Sequence, residues 1–229
     1  MMEAMIKRKN IVSLWVLLFL PTWLSAQVYE NQQWIAIAAK YKINKELSFE
    51  IEQGFRVAHM AYMSTTYTDF AIGYKFNKHF KISGGYRLIY RGSWSNWENL
   101  DNRFFTDFAY SNKFGDLKAT FRTRFQLRYR DWHTSELGWR PQFINRNKLS
   151  LAYDMSQGFE PFASVELFHR LNDIGLKPYT QQGRYAFGLN KKINDNLGLS
   201  IYYMYQPEFN SSKPEKDQIF GIDLSIDLN

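Results

Sequence analysis

A chain of 229 residues without a single cysteine excludes disulfides, thiol chemistry and a lipoprotein anchor. Its formal charge of +7 would suit an acidic partner, while 19 Phe, 15 Tyr and 7 Trp give an aromatic fraction of 18%, high for a soluble domain. An exported chain whose charges alternate onto one strand face does not read as a nucleic-acid binder, so no nucleic-acid partner is expected.

The first residues carry the export argument. Lys7, Arg8 and Lys9 form a basic start, Ile11 to Leu20 an apolar run interrupted by Pro21, and Leu24-Ser25-Ala26 a small-residue cleavage site before Gln27. The apolar run is about ten residues, too short to cross a bilayer as a helix. Residues 1–26 are therefore expected to be a removable signal peptide, with cleavage near Ala26, and residues 27–229 one transmembrane β-barrel domain. Losing Glu3, Lys7, Arg8 and Lys9 takes away a net +2 and leaves +5 on the mature chain.

Beyond that point no apolar stretch approaches a transmembrane helix, and the mean hydropathy is negative. Period-two alternation takes over. Candidate strands run near Trp34 to Ile43, Leu47 to Val57, Thr66 to Phe76, Phe80 to Arg91, Asn102 to Lys113 and Leu117 to Asp131. The series continues with Arg140 to Asp154, Phe159 to Leu171, Gly183 to Lys192, Leu197 to Pro207 and Asp217 to Leu228. Asn44-Lys45, Asn77-Lys78-His79, Gly115-Asp116, Ser156-Gln157-Gly158 and Asn194-Asp195-Asn196 are tight-turn compositions. Ala58 to Thr65, Gly92 to Asp101, Trp132 to Trp139, Asn172 to Gln182 and Glu208 to Lys216 are longer connections. Short turns on one side and long loops on the other is the arrangement of bacterial outer-membrane barrels.

The clearest segment is Thr120 to Arg130. Arg122, Arg124, Gln126, Arg128 and Arg130 fall on one strand face, and Phe121, Phe125, Leu127 and Tyr129 on the other. Segments of this kind follow one another without helices between them, which predicts an all-β, up-and-down antiparallel transmembrane barrel with lipid outside and polar side chains inside. Eleven segments are counted, whereas a barrel with both chain ends on one side needs an even number. Twelve strands are expected, with ten as the alternative. Glu50, Glu52, Arg56, Arg87, Arg103, Asp107, Arg122, Arg124, Arg128, Glu166 and Arg184 are predicted to form a lumen charge network. Outer-membrane lipids, the barrel-assembly machinery and a small anionic solute are the expected partners. No cofactor and no metal are expected, because His59, His79 and His169 form no short-spaced cluster.

Trp34, Glu52 and Arg56, Gly73-Tyr74 and Gly85-Tyr86, the Arg122, Arg124 and Arg128 run, Glu166-Leu167-Phe168, and Tyr205-Gln206 follow one another along the chain. In these features it resembles a family of exported barrels known as domain of unknown function 2490. The resemblance implies an outer-membrane barrel and brings no activity with it.

The residues leave three readings of function. One is a structural barrel or narrow transport pore with an Arg/Glu-lined lumen. Another is a lipid hydrolase at the outer rim, resembling outer-membrane phospholipases or lipid A deacylases, with His133 as base and Ser135 as nucleophile in Trp132-His133-Thr134-Ser135-Glu136 and Asn145 or Glu160 as orienting group. The last is a soluble lipocalin-like binding barrel, which requires the aromatic face to point inward. Trp94, Trp97, Trp132 and Trp139 fall in the long connections, where an interfacial aromatic girdle is expected.

Overall fold

A computed structural model describes residues 29–58, 62–92, 99–130, 141–172 and 177–229. The expected signal peptide lies outside the described residues. The strands are β1 (Tyr29–Lys42), β2 (Leu47–Ala58), β3 (Tyr62–Lys75), β4 (Phe80–Arg91), β5 (Asn99–Phe114) and β6 (Leu117–Arg130). They continue with β7 (Gln142–Tyr153), β8 (Phe159–Arg170), β9 (Tyr179–Lys192), β10 (Leu197–Pro207) and β11 (Lys216–Asp227), with a short 3₁₀ turn over Ser156–Gly158 before β8. Each strand pairs antiparallel with its sequence neighbour, and the sheet closes into a barrel by pairing β1 with β11.

The expected even number is corrected by that closing pair. Among the described residues the barrel has eleven strands, because β1 and β11 run parallel, in register from Tyr29 opposite Lys216 to Lys40 opposite Asp227. The parity rule assumes a wholly antiparallel ring; one parallel seam removes the requirement. Beyond Lys40 the seam is extended by a side chain: Lys42 N–H donates to Asn229 Oδ1 at 2.8 Å, and Asn229 Nδ2 donates to Lys42 O at 2.7 Å. Strands also reach further into the long connections than alternation indicates, with β3 starting at Tyr62, β5 at Asn99 and β9 at Tyr179.

The tight turns follow from their asparagines. Ile43-Asn44-Lys45-Glu46-Leu47, Phe76-Asn77-Lys78-His79-Phe80 and Ile193-Asn194-Asp195-Asn196-Leu197 repeat one pattern. In each, the Asn Oδ1 accepts the backbone N–H two residues on, at 2.9 Å in Glu46, 2.8 Å in His79 and 2.9 Å in Asn196, so the side chain completes the bend. Gly115 supplies the left-handed residue of another turn, with φ +62°.

Alternation then divides the wall into two faces. Outward stand Ile35, Ile37, Phe49, Ile51, Phe70, Ile72, Phe104, Phe108, Phe121, Phe125, Leu149, Leu151, Tyr185, Phe187, Ile201, Phe220 and Ile222, all exposed. The lipocalin-like expectation, which needs these groups inside, is corrected by this placement. Two small polar groups interrupt the outer face and satisfy themselves locally. Gln53 bonds Thr66 and Thr68, and Asn145 Nδ2 donates to Thr123 Oγ1 while its Oδ1 accepts from Asn147.

Candidate functional site in the barrel lumen

The inward residues sort by height. Toward the long connections Asp101 is buried, 2% exposed, and opposes Ile89 across the β4–β5 pair. Its Oδ2 accepts from Arg128 at 2.9 Å and 2.6 Å and from Arg103 at 3.2 Å, with the Arg91 guanidinium at 3.0 Å. One carboxylate therefore anchors three cations. On the facing wall Gln206 donates to Asp217 at 2.6 Å and accepts from Arg184 at 2.8 Å. Ile89 and Ile219, 1% and 0% exposed, fill the space between such polar groups.

At mid-height the guanidiniums form two-pronged pairs. Arg124 donates to both oxygens of Asp107 at 2.6 Å and 2.7 Å, and Arg87 makes the same fork to Asp69. Glu166 is a second shared anchor: it accepts from Arg146 at 3.1 Å and 3.0 Å and from Arg122 at 2.5 Å, with Arg184 at 4.0 Å. Planar forks match carboxylates, and the same planes stack on rings. Arg124 lies 3.9 Å from the Phe105 centroid, Arg87 4.1 Å from Tyr67, and Arg146 4.4 Å from Phe168.

Two inward glycines make room for those rings. Tyr67 lies over its cross-strand partner Gly54, and Tyr202 over Gly221, so close that neither glycine has space for a Cβ. Tyr67 Oη then reaches Glu52 Oε1 at 2.7 Å. Trp34, Met204 and Ile219, with Ala186 and Tyr202 packed against them, make the main apolar contact inside the barrel.

Toward the short turns small inward side chains stand among longer ones such as Lys81, Lys118, Lys148 and Glu160. Ser48, Ala71, Ser83, Ala109, Ser150, Ala152 and Ser200 line a cavity of about 750 Å³. It meets a second cavity of about 520 Å³ at Glu50, Asn190, Ser200 and Asp223, next to the β9–β10 turn. Asp101, Arg103, Arg128, Ile89, Ile219 and Asp217 line neither cavity. Among the described residues the lumen is thus filled around Asp101 and hollow toward the turn half, the larger cavity reaching up to Trp34 and Arg56.

The residues predicted as a network separate accordingly. Arg103 and Arg128 meet on Asp101; Arg122 and Arg184 meet on Glu166; Arg124 pairs with Asp107; Arg87 and Glu52 stand 3.6 Å apart. Glu50 lines the turn-half cavity, apart from this lattice. Arg56 stacks on Trp34 at 3.9 Å and reaches no carboxylate among the described residues. Sequence reasoning missed Asp101, assigned to a connection, and Arg146, whose flanking Asn145 and Asn147 blur the alternation. No sequence signal announces Arg146, which comes to stand directly opposite Arg124 only through the β6–β7 register.

His133 and Ser135 lie outside the described residues. Their suggested orienting groups are engaged elsewhere: Asn145 bonds Thr123 on the outer face, and Glu160 accepts from Asn190 at 2.9 Å in the lumen. Glu160 is also the second residue of β8, at the short-turn end, whereas 131–140 follow the opposite end of β6. Among the described residues no group of His, Asp and Glu is arranged to hold a metal.

Comparison with known proteins gives a family. The translocator domain of the autotransporter NalP from Neisseria meningitidis is 16% identical, with 76% of this chain and 72% of that chain covered at a TM-score of 0.44. The NanC porin is 14% identical, with 74% and 86% covered and a TM-score of 0.46. No curated protein matches in sequence. A family model matches residues 31–217, most of the barrel, and the chain belongs to that family, described as Protein of unknown function (DUF2490).

Proposed function

We propose that this protein is an outer-membrane barrel that spans the bilayer with its aromatic face toward lipid and its short turns toward the periplasm, and that it acts as a closed structural barrel. Exposed Phe, Ile, Leu and Tyr on every strand support the lipid contact, because a soluble monomer rarely leaves so much apolar surface in water. In this reading outer-membrane lipids are its lasting partners, and the barrel-assembly machinery meets it during insertion.

The observation that carries the closed reading is the cluster in the loop half where Arg103 and Arg128 meet buried Asp101 beside buried Ile89, with buried Ile219 on β11. Unpairing any of these charges in a desolvated site is costly, so the cluster resists opening. The hollow turn half favours a second reading, a narrow transport pore in which the lattice yields to a solute.

Planar-bilayer recording separates the two. The refolded wild-type barrel is expected to be electrically silent. Reproducible conductance steps that change in Arg128→Ala would overturn the closed reading and establish the pore.

A further inference from the structure

Arg56 differs from the other guanidiniums of the lumen. Arg87, Arg91, Arg103, Arg122, Arg124, Arg128, Arg146 and Arg184 each stand within 4.0 Å of a carboxylate, whereas Arg56 does not among the described residues. Its Nε is buried and without a hydrogen-bond partner. Its plane lies 3.9 Å from the Trp34 centroid, and Arg184 lies 5.0 Å from the same ring. Two cations thus share one indole, and all three side chains line the cavity of about 750 Å³.

Two carboxylates that line the same cavity are already committed. Glu52 accepts from Tyr67 at 2.7 Å and faces Arg87, and Glu166 accepts from Arg122 and Arg146. A stacked indole compensates part of the lost hydration of a guanidinium but supplies no counter-charge. The volume falls within the roughly 300–1,000 Å³ of small-molecule sites, and among the described residues the cavity continues toward the β9–β10 turn through Glu50, Asn190, Ser200 and Asp223.

We propose that Arg56 and Arg184, both beside the Trp34 ring, bind the oxyanion of a small solute, a carboxylate or phosphate group, that enters from the short-turn side. Two planar forks fit such a group bidentately, and the anion supplies the charge that the lattice leaves out. This inference deepens the closed-barrel reading by giving its blind cavity a ligand class.

The test is calorimetric titration of the refolded barrel in non-ionic detergent with inorganic phosphate and, separately, succinate, at constant ionic strength. Saturable binding of either is expected, with the preferred one naming the source. Binding should weaken at least tenfold in Arg56→Gln and stay within twofold in Arg128→Ala, whose side chain lies in the filled half. If Arg56→Gln does not refold, Arg56→Lys, which keeps the charge and loses the fork, should bind at least threefold more weakly. Absence of wild-type binding to both anions, or equal binding by wild type and the Arg56 variant, overturns the proposal. A conducting wild-type barrel would overturn the closed reading while leaving this titration readable. A silent barrel without anion binding overturns the anion site alone.

Discussion

The same strands build two different interiors. In the loop half, long Arg side chains converge on Asp101 beside the buried Ile89; in the turn half, Ser and Ala stand among Lys81, Lys118 and Lys148 and two joined cavities remain. Backbone geometry does not distinguish the halves, so side-chain length and charge decide where a barrel of this width is solid. The contrast also separates two uses of charge: a lattice that closes itself, and the Arg56 guanidinium on Trp34, which pairs with no carboxylate among the described residues.

The largest expected effect tests the solid half. Asp101→Asn leaves Arg91, Arg103 and Arg128 without their carboxylate and should cost about 3–5 kcal/mol, the range for breaking a buried ion pair. Glu50→Gln, in the hollow half, should stay within about 0.5 kcal/mol. Urea unfolding in detergent measures both, and equal losses would erase the contrast.

A smaller effect probes packing. Gly221→Ala drives a methyl into the Tyr202 ring and should cost about 1–3 kcal/mol, as overpacking does. At Gly73, in the turn half, a methyl would meet Lys81 Cε at 2.5 Å, the far end of a flexible side chain, so Gly73→Ala should cost less. A larger loss at Gly73 would mean that the hollow half is packed more tightly than its cavities indicate.

The smallest effect lies at the rim of the filled half. Desolvation first, then the charges of Glu208 and Glu30, hold the Glu215 carboxyl above its ordinary pKa. The folded state therefore binds that proton more tightly than the unfolded chain, and stability falls as pH rises from the ordinary carboxylate range through the raised value. Glu215→Gln should flatten that slope without changing stability at lower pH, read from unfolding midpoints across pH 4–7, a range set by roughly 4.3 for a free Glu.

Much of the wall was legible in the sequence because a period of two is a local property. Arg122, Arg124 and Arg128 against Phe121, Phe125 and Tyr129 declare their faces without any knowledge of neighbours. Asn44, Asn77 and Asn194 likewise announce their turns. What was not legible depends on distant partners. The sharing of Asp101 by three guanidiniums needs the β4–β5–β6 register, and Arg146 is hidden by polar Asn145 and Asn147 on the outward side. The parallel closure joins segments from opposite ends of the described chain, which alternation cannot foresee. The solitary state of Arg56 is harder still, since a missing partner leaves no motif.

The seam between β1 and β11 bears on how the barrel comes together. Neighbouring antiparallel strands join through hairpin connections, but the bond from Lys42 to Asn229 spans 187 positions. Bringing such distant segments together carries the larger loop-closure entropy, and parallel pairing returns slightly less per residue than antiparallel pairing. We expect the ring to be completed last and to part first, giving the barrel one designated gate along its wall where amide protons exchange soonest and where an incoming lipid or strand would find the least resistance.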